Sequence, residues 1–277
     1  MEKLYALFGC PVHHSLSPLM HNDAFQHMNI AARYHAFHVE PKHLKDAING
    51  VRALGISGLN VTIPHKTAVI PLLDDIDPAA RRIGAVNTIV NENGRLIGYN
   101  TDGPGYVQAL EEEVRIDIKG KRILVIGAGG AARGIYFSLV DKGAKQIDIC
   151  NRTVSKAKQL IDECDAAVSS AACSLNEAEE RLGEYDILIN TTSVGMYPHM
   201  EEMPLSLANM KEGTVVSDII YNPLETKWLK EARRRKAIVQ NGVGMFVYQG
   251  ALAFEKWTGA FPDVERMKKI VMEQLRR

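Results

Sequence analysis

The sequence lacks a surplus of either charge. Lys plus Arg and Asp plus Glu both number 33, a formal net charge of zero at pH 7. Without a basic excess there is no electrostatic footprint for nucleic acid or an anionic membrane, although a local patch still suits a small anion. Long apolar runs are missing as well. The stretch Ile123 to Val140 is broken by Arg133 and by glycines, short of the roughly 18 uninterrupted apolar residues of a membrane helix. The run Leu4 to Phe8 behind Met1, Glu2 and Lys3 is too brief for a signal-peptide core and reads as a first strand. Cysteine is scarce, and Cys10, Cys150, Cys164 and Cys173 form no C-x-x-C pair. That argues against a zinc site or disulfide framework and favours a reducing compartment, the cytoplasm by default. No internal repeat or low-complexity tract interrupts the chain.

What remains is a globular composition, 277 residues with 46% hydrophobic and 24% charged, enough for two modest domains or one large one. From Lys119 onward strand-like and helix-like runs alternate. Strands are expected at Lys121 to Ile126, Ile147 to Cys150, weakly near Ala167 to Ala172, and at Asp186 to Asn190, Val215 to Ile220 and Ile238 to Gln240. Helices are expected at Ala131 to Val140, about Val154 to Asp162, and Thr226 to Arg235. Such alternation implies βαβ crossovers and a parallel sheet. The first hundred residues alternate too: strands Leu4 to Phe8, Tyr34 to Val39 and Leu59 to Thr62, with helices Pro18 to Met28 and Pro41 to Leu54. A hairpin, Ala85 to Val90 with Leu96 to Tyr99, turns at Asn93-Gly94. The fold class is therefore α/β with two domains, an N-terminal one with a mainly parallel sheet and a Rossmann-type doubly wound one. The expected boundaries are 1–101 joined by C-terminal helices in 243–277, a connecting helix in 102–117, and the doubly wound domain over 118–242.

The clearest chemical signal is Gly127-Ala128-Gly129-Gly130-Ala131-Ala132, directly after a strand and opening a helix. It fits G-x-G-x-x-A: Gly127 for the tight turn, Gly129 for approach of a pyrophosphate to backbone amides, Ala132 for close helix–strand contact. The alternative is a tight turn with no ligand, which the βαβ context disfavours. At the end of the next strand an acidic residue would select NAD. Here stand Asn151, Arg152 and Thr153, with Lys156 a turn later. A guanidinium beside small polar groups suits the 2′-phosphate of NADP, whereas the bland reading is solvated charges with Thr153 as an N-cap.

Polar residues of the first half cluster where strands end: Ser15 and Ser17 before a helix, Asn60, Thr62 and Lys66 after a strand, Asn87 near the start of another, and Asp102 after the hairpin. Hydroxyls, amides, one ammonium and one carboxylate suit a small polyhydroxylated carboxylate. Each has a structural alternative: Ser17 as an N-cap with Pro18 at N1, Asp102 as a cap, Lys66 as a solvated lysine, the asparagines as turn residues. Among nine histidines, His13, His14 and His21 carry no H-E-x-x-H pattern, so no metal is expected.

Taken together, S-x-S-P at 15–18, N-V-T-x-P-x-K at 60–66, G-A-V-N-T at 84–88, N-T-D-G at 100–103, G-A-G-G-A-A-R-G at 127–134, N-R-T at 151–153, N-T-T-x-x-G-M at 190–196 and G-x-x-M-x-x-x-Q-G at 242–250 resemble the shikimate dehydrogenase family over essentially the whole chain. The resemblance implies NADPH-dependent reduction of 3-dehydroshikimate to shikimate. It implies Lys66 and Asp102 as catalytic residues, and Ser15, Ser17, Asn60, Thr62, Asn87, Tyr221 and Gln249 as substrate contacts. Nucleotide contacts would fall on Gly127, Ala128, Gly129, Gly130, Ala131, Asn151, Arg152, Thr153, Lys156, Ile219 and Gly242. Lys156 stands where many relatives carry Arg. A relative acting on quinate with NAD would be favoured by an acidic residue after the second strand, and Thr153-Val154-Ser155 lacks one. The expected partner is a small-molecule substrate, with no nucleic acid and no membrane, and a homodimer is left open.

Overall fold

The computed structural model describes residues 2–164 and 168–276. The chain forms two compact units, Met1–Thr101 with Val247–Arg277, and Asp102–Phe246.

In the first unit, β1 (Lys3–Gly9), α1 (Ser17–His27), β2 (Ala32–His38), a 3₁₀ turn at Pro41–His43, α2 (Leu44–Ala53) and β3 (Gly58–Val61) are followed by α3 (His65–Ala68), β4 (Asp75–Ile76), α4 (Pro78–Ile83), β5 (Thr88–Glu92) and β6 (Arg95–Tyr99). Among the described residues the sheet runs β2-β1-β3-β5-β6-β4. It is parallel along β2-β1-β3 and between β4 and β6, and antiparallel through the β5-β6 hairpin. One face packs Ala6, Phe8, Leu59 and Val61 against Ile48 and Val51 of α2. The other carries aromatics: Tyr5 stacks on Phe25 of α1 and on Trp257.

The C-terminal helices α10 (Val243–Thr258) and α11 (Val264–Leu275) supply that cover. The Trp257 indole lies where a Cβ on Gly58 would be and donates to the Ile89 carbonyl at 3.0 Å. Arg266 of α11 makes a two-pronged ion pair with Asp23 of α1.

His21 sits at the centre of this aromatic layer. It is fully buried, 4.5 Å from the Tyr34 ring and 5.4 Å from Trp257, and neither ring nitrogen finds a partner among the described residues. Burial lowers its pKa from 6.5 to about 3, because no neighbouring charge or dipole offsets lost hydration. The depressed folded value means that its stabilising effect is complete above about pH 6.5 and is lost as pH falls toward 3. At pH 5 the loss attributable to this group is about 2 kcal/mol. Denaturant unfolding of wild type and His21→Phe at pH 7 and pH 5 checks this: the gap between them should shift in favour of the variant at pH 5, and a gap independent of pH contradicts it.

The second unit contains α5 (Asp102–Val114), β7 (Arg122–Ile126), α6 (Gly130–Asp141), β8 (Gln146–Cys150), α7 (Val154–Asp162), β9 (Ala172–Cys173), α8 (Leu175–Glu180), β10 (Ile187–Asn190), β11 (Val215–Asp218), α9 (Lys227–Arg234) and β12 (Ile238–Gln240). The all-parallel order β12-β11-β10-β7-β8-β9 is the doubly wound 3-2-1-4-5-6 arrangement, with its switch point between β7 and β10. Helices cover both faces, with Ile135 and Leu139 of α6 buried on one and Trp228 and Leu229 of α9 on the other.

Three expectations shift. The weak strand near Ala167 to Ala172 reduces to β9, which starts at Ala172, and Ala167 lies outside the described residues. The helix expected as a connector belongs to the second unit: a Cβ on Gly103 would strike the Gly134 carbonyl of α6, and Gln240 of β12 donates to Glu113 at 2.7 Å. That unit extends to Phe246, so the boundary falls within α10 rather than before it.

Candidate active site

In the first unit the polar residues gather at the carboxyl ends of β1 and β3 and at the adjoining start of β5. Helix α1 begins at Ser17, with Leu16 at the N-cap position and no side-chain cap. It is Ser15 Oγ that accepts the Ser17 N–H, at 3.2 Å. Ser17 is buried, and its hydroxyl lies near that of Tyr34. The N-cap reading of Ser17 is thereby corrected: Ser17 is the first residue of the helix itself, and Leu16 holds the cap position.

Tyr34 in turn donates to Asn60 Oδ1 at 2.7 Å. Asn60 spends its amide donors on the Asn87 carbonyl and on Thr88 Oγ1, each at 3.1 Å. Asn87 continues the chain. Its Oδ1 accepts from the Thr101 N–H at 2.8 Å and from Thr88 Oγ1 at 2.9 Å, and its Nδ2 donates to Thr101 Oγ1 at 3.0 Å. A buried network thus runs from Tyr34 through Asn60, Thr88 and Asn87 to Thr101. Buried amides of this kind fix one arrangement, because any other leaves desolvated groups unpaired. Tyr34, Thr88 and Thr101 carry no local signal of this role; only the β1-β2 and β1-β3 registers, Tyr5 beside Tyr34 and Leu7 beside Asn60, bring the network together.

The network's members predict a measurable effect. Tyr34→Phe keeps the ring under His21 and removes the hydroxyl that donates to Asn60 beside Ser17. It should destabilise the fold by about 1–3 kcal/mol and raise the KM of a ligand that binds beside Ser17 and Asn60 several-fold. Urea unfolding and steady-state kinetics read both effects, and an unchanged KM would detach the network from binding.

Thr62 and Lys66 flank a turn closed by the His65 N–H to the Thr62 carbonyl at 2.8 Å. Lys66 is half-buried in the short α3, and its carbonyl accepts the Val86 N–H at 2.8 Å. Residues 85–87, expected as strand, are instead a connector ahead of β5, tied outward to Lys66 and Tyr99 rather than into a regular ladder. Val86 holds the Lys66 backbone and Asn87 holds Thr101, so residues 66 and 101 are anchored to adjacent positions of one segment. Asp102 is buried at the first turn of α5. Gln249 is buried in α10, as an amide that needs partners. His65 Nε2 meets the Val39 carbonyl at 2.7 Å, a packing role.

In the second unit Gly127 ends β7 with φ +107°, and a Cβ there would lie 2.7 Å from Thr191 Oγ1. Gly129 and Gly130 are different: a Cβ on either would meet nothing within 4 Å. The loop is therefore an open glycine ledge at the N-terminus of the 12-residue α6, where unpaired amides and the helix dipole attract a phosphate. Ala128 is half-buried, Ala131 opens the helix beside it, and Ala132 is fully buried against the sheet. At the end of β8, Asn151 Nδ2 donates to the Thr153 carbonyl at 2.9 Å and shapes the turn, while Arg152, Thr153 and Lys156 are exposed. Thr153 holds the N-cap position of α7 without a cap bond, so its hydroxyl is not committed to the helix. This donor set fits a dinucleotide carrying an extra phosphate.

At the other side of the switch point, Asp218 at the end of β11 accepts from Asn190, the Ile220 N–H and Thr226 at 2.9–3.1 Å. Burial pushes its carboxyl up to about 6 despite these bonds. The clamp sets the turn carrying Ile219 and Tyr221. Gly242 lies so close to the Ile219 carbonyl that no side chain would fit. Tyr221 is half-buried, packed on Phe246 at 5.0 Å, and burial raises its phenol pKa.

Known proteins show the same plan. The family model described as the shikimate dehydrogenase substrate binding domain matches residues 7–89, that of shikimate / quinate 5-dehydrogenase matches 109–223, and that of the shikimate 5′-dehydrogenase C-terminal domain matches 242–272. A shikimate dehydrogenase (NADP(+)) of Geobacillus sp. (strain WCH70) is 87% identical over 276 residues, covering 100% of both chains. The chain belongs to the shikimate dehydrogenase family. Solved members of the family superpose over nearly the whole length. A shikimate dehydrogenase in complex with NADP+ has a TM-score of 0.93 at 46% identity, covering 99% of this chain and 96% of the other. The shikimate 5-dehydrogenase of Thermus thermophilus, in complex with NADP(H) and shikimate, has a TM-score of 0.89 at 36% identity, covering 98% and 99%. The α/β two-domain architecture is the family's, and among the described residues no helix is long and apolar enough to cross a membrane.

Proposed function

We infer that this chain catalyses the reversible, NADPH-dependent reduction of 3-dehydroshikimate to shikimate, an oxidoreductase acting on a CH–OH group in the shikimate pathway toward chorismate and the aromatic amino acids. The observation that carries this reading is the presence, in one chain of this family, of an open glycine ledge with an exposed Arg152 beside it and of a buried hydroxyl–amide network through Asn60 and Asn87.

Bound NADPH supplies the hydride that reduces the ketone carbon. The protein's part is to stabilise and protonate the oxygen. Lys66 donates a proton to the developing alkoxide, and in the reverse direction accepts it; Asp102 holds and orients the ammonium. Ser15 and Ser17 take the substrate carboxylate. Thr62, Asn87, Tyr221 and Gln249 take the ring hydroxyls, with Asn60 holding Asn87 and Tyr34 in place. Gly127, Ala128, Gly129, Gly130 and Ala131 cradle the pyrophosphate. Asn151, Arg152, Thr153 and Lys156 take the 2′-phosphate, and Ile219 and Gly242 border the nucleotide through their backbone. Four cysteines outside any disulfide among the described residues suit a reducing cytoplasm.

Purified protein with shikimate and NADP+ should form NADPH, faster than with quinate or with NAD. No turnover on shikimate, or preference for quinate with NAD, overturns the assignment.

A further inference from the structure

The four cysteines occupy different surroundings. Cys150 and Cys173 are buried, and burial pushes both thiols up, Cys173 to about 11, which makes them inert. Cys164 lies near the Tyr136 hydroxyl at the rim of the second unit's core. Cys10 stands apart. It follows β1, half-buried, with Sγ 3.4 Å from Nε2 of His38. The parallel pairing of β1 and β2 sets this proximity, since Gly9 is in register with His38. His13 lies flat on the His38 ring, centroids 5.3 Å apart and planes within 6°. A thiol, an imidazole within hydrogen-bond reach, and a third group that fixes the imidazole is the arrangement that activates a nucleophile. Both imidazoles are exposed, so reagents reach them from solvent.

We propose that Cys10 is a modification site: a thiol activated by His38 that reacts with small electrophiles and hydroperoxides. With a hydroperoxide, His38 takes the thiol proton and the thiolate attacks the terminal peroxide oxygen. The O–O bond breaks, and the imidazolium returns the proton to the departing oxygen. The products are a sulfenic acid and water or an alcohol, and excess thiol reverses the change. With a haloacetamide, an S–C bond forms and halide leaves. The modified sulfur lies on the loop that carries Ser15, and the Cys10 N–H bonds the Ile63 carbonyl at 3.0 Å in the segment between Thr62 and Lys66. An added group there obstructs substrate entry to the first unit. This second consequence rests on the functional reading above, whereas the thiol's reactivity does not.

Iodoacetamide labelling of the intact protein, mapped by mass spectrometry, separates the two. Cys10 should label about tenfold faster or more than Cys164, Cys150 and Cys173. His38→Ala should slow Cys10 about tenfold while Cys164, an internal clock, keeps its rate. Turnover of shikimate should fall in step with Cys10 labelling, and Cys10→Ser should retain its turnover in the reagent. Labelling of Cys164 as fast as Cys10, or an unchanged Cys10 rate in His38→Ala, overturns the activated thiol. Loss of turnover in Cys10→Ser at the wild-type rate overturns the link to substrate entry.

Discussion

Lys66→Ala lowers kcat by about 10²- to 10⁴-fold, the usual worth of a positioned acid–base group, while the fold and the NADP affinity stay near wild type. Lys66 is half-buried at the head of a four-residue helix, and its carbonyl anchors Val86. Truncating its side chain leaves that backbone bond intact, so the loss falls on the reacting proton rather than on folding. The transition state carries more negative charge on the substrate oxygen than the ground state does, and a donor aimed there acts mainly on kcat. Lys66→Arg restores the charge and not the rate, since a guanidinium does not release its proton at neutral pH. Asp102→Asn should fall between wild type and the alanine variant, because the ammonium persists but loses its orienting carboxylate. Steady-state kinetics on shikimate with NADP+ reads all three, and full activity in Lys66→Ala contradicts the assigned role.

Arg152→Ala raises the KM for NADP+ by about 10- to 100-fold, equivalent to the roughly 1.5–3 kcal/mol of a hydrogen bond to a charged group. The KM for NAD should change by less than about threefold, because NAD has no 2′-phosphate for the guanidinium to meet. Arg152 is exposed, so removing it exposes no core. Lys156→Ala should give a smaller effect in the same direction, since an ammonium is a point charge without the fork of Arg. Equal losses for NADP+ and NAD would mean that Arg152 supports the turn and does not read the phosphate.

Much of this was legible in the sequence, where the signal was local. The β-branched run before Gly127 and the helix after it mark the glycine loop, and Asn93-Gly94 marks the hairpin. Other local signals are quieter. Asp77 accepting the Ala79 N–H, Pro78 behind it and Gly84 in the left-handed C-cap bracket α4, and Ser174 with Glu177 form the capping box of α8. What no local pattern carries is pairing at a distance. Tyr34 reaches Asn60 only because both strands flank β1. Residues 85–87 look like strand by composition, yet their hydrogen bonds go to Lys66, Tyr99 and Thr101. His21, which with His13 and His14 could suggest a metal from sequence, is enclosed in aromatics that only the fold brings together.

The most direct test is a crystal structure of the protein with NADP+ and shikimate bound together. The account predicts the Lys66 ammonium within about 2.6–3.2 Å of the substrate oxygen that is oxidised, the Asp102 carboxylate bonded to that same ammonium, and the nicotinamide on the ring's reacting carbon. An ammonium turned to solvent, or a carboxylate bonded elsewhere while shikimate occupies the Ser15 and Ser17 hydroxyls, would contradict it.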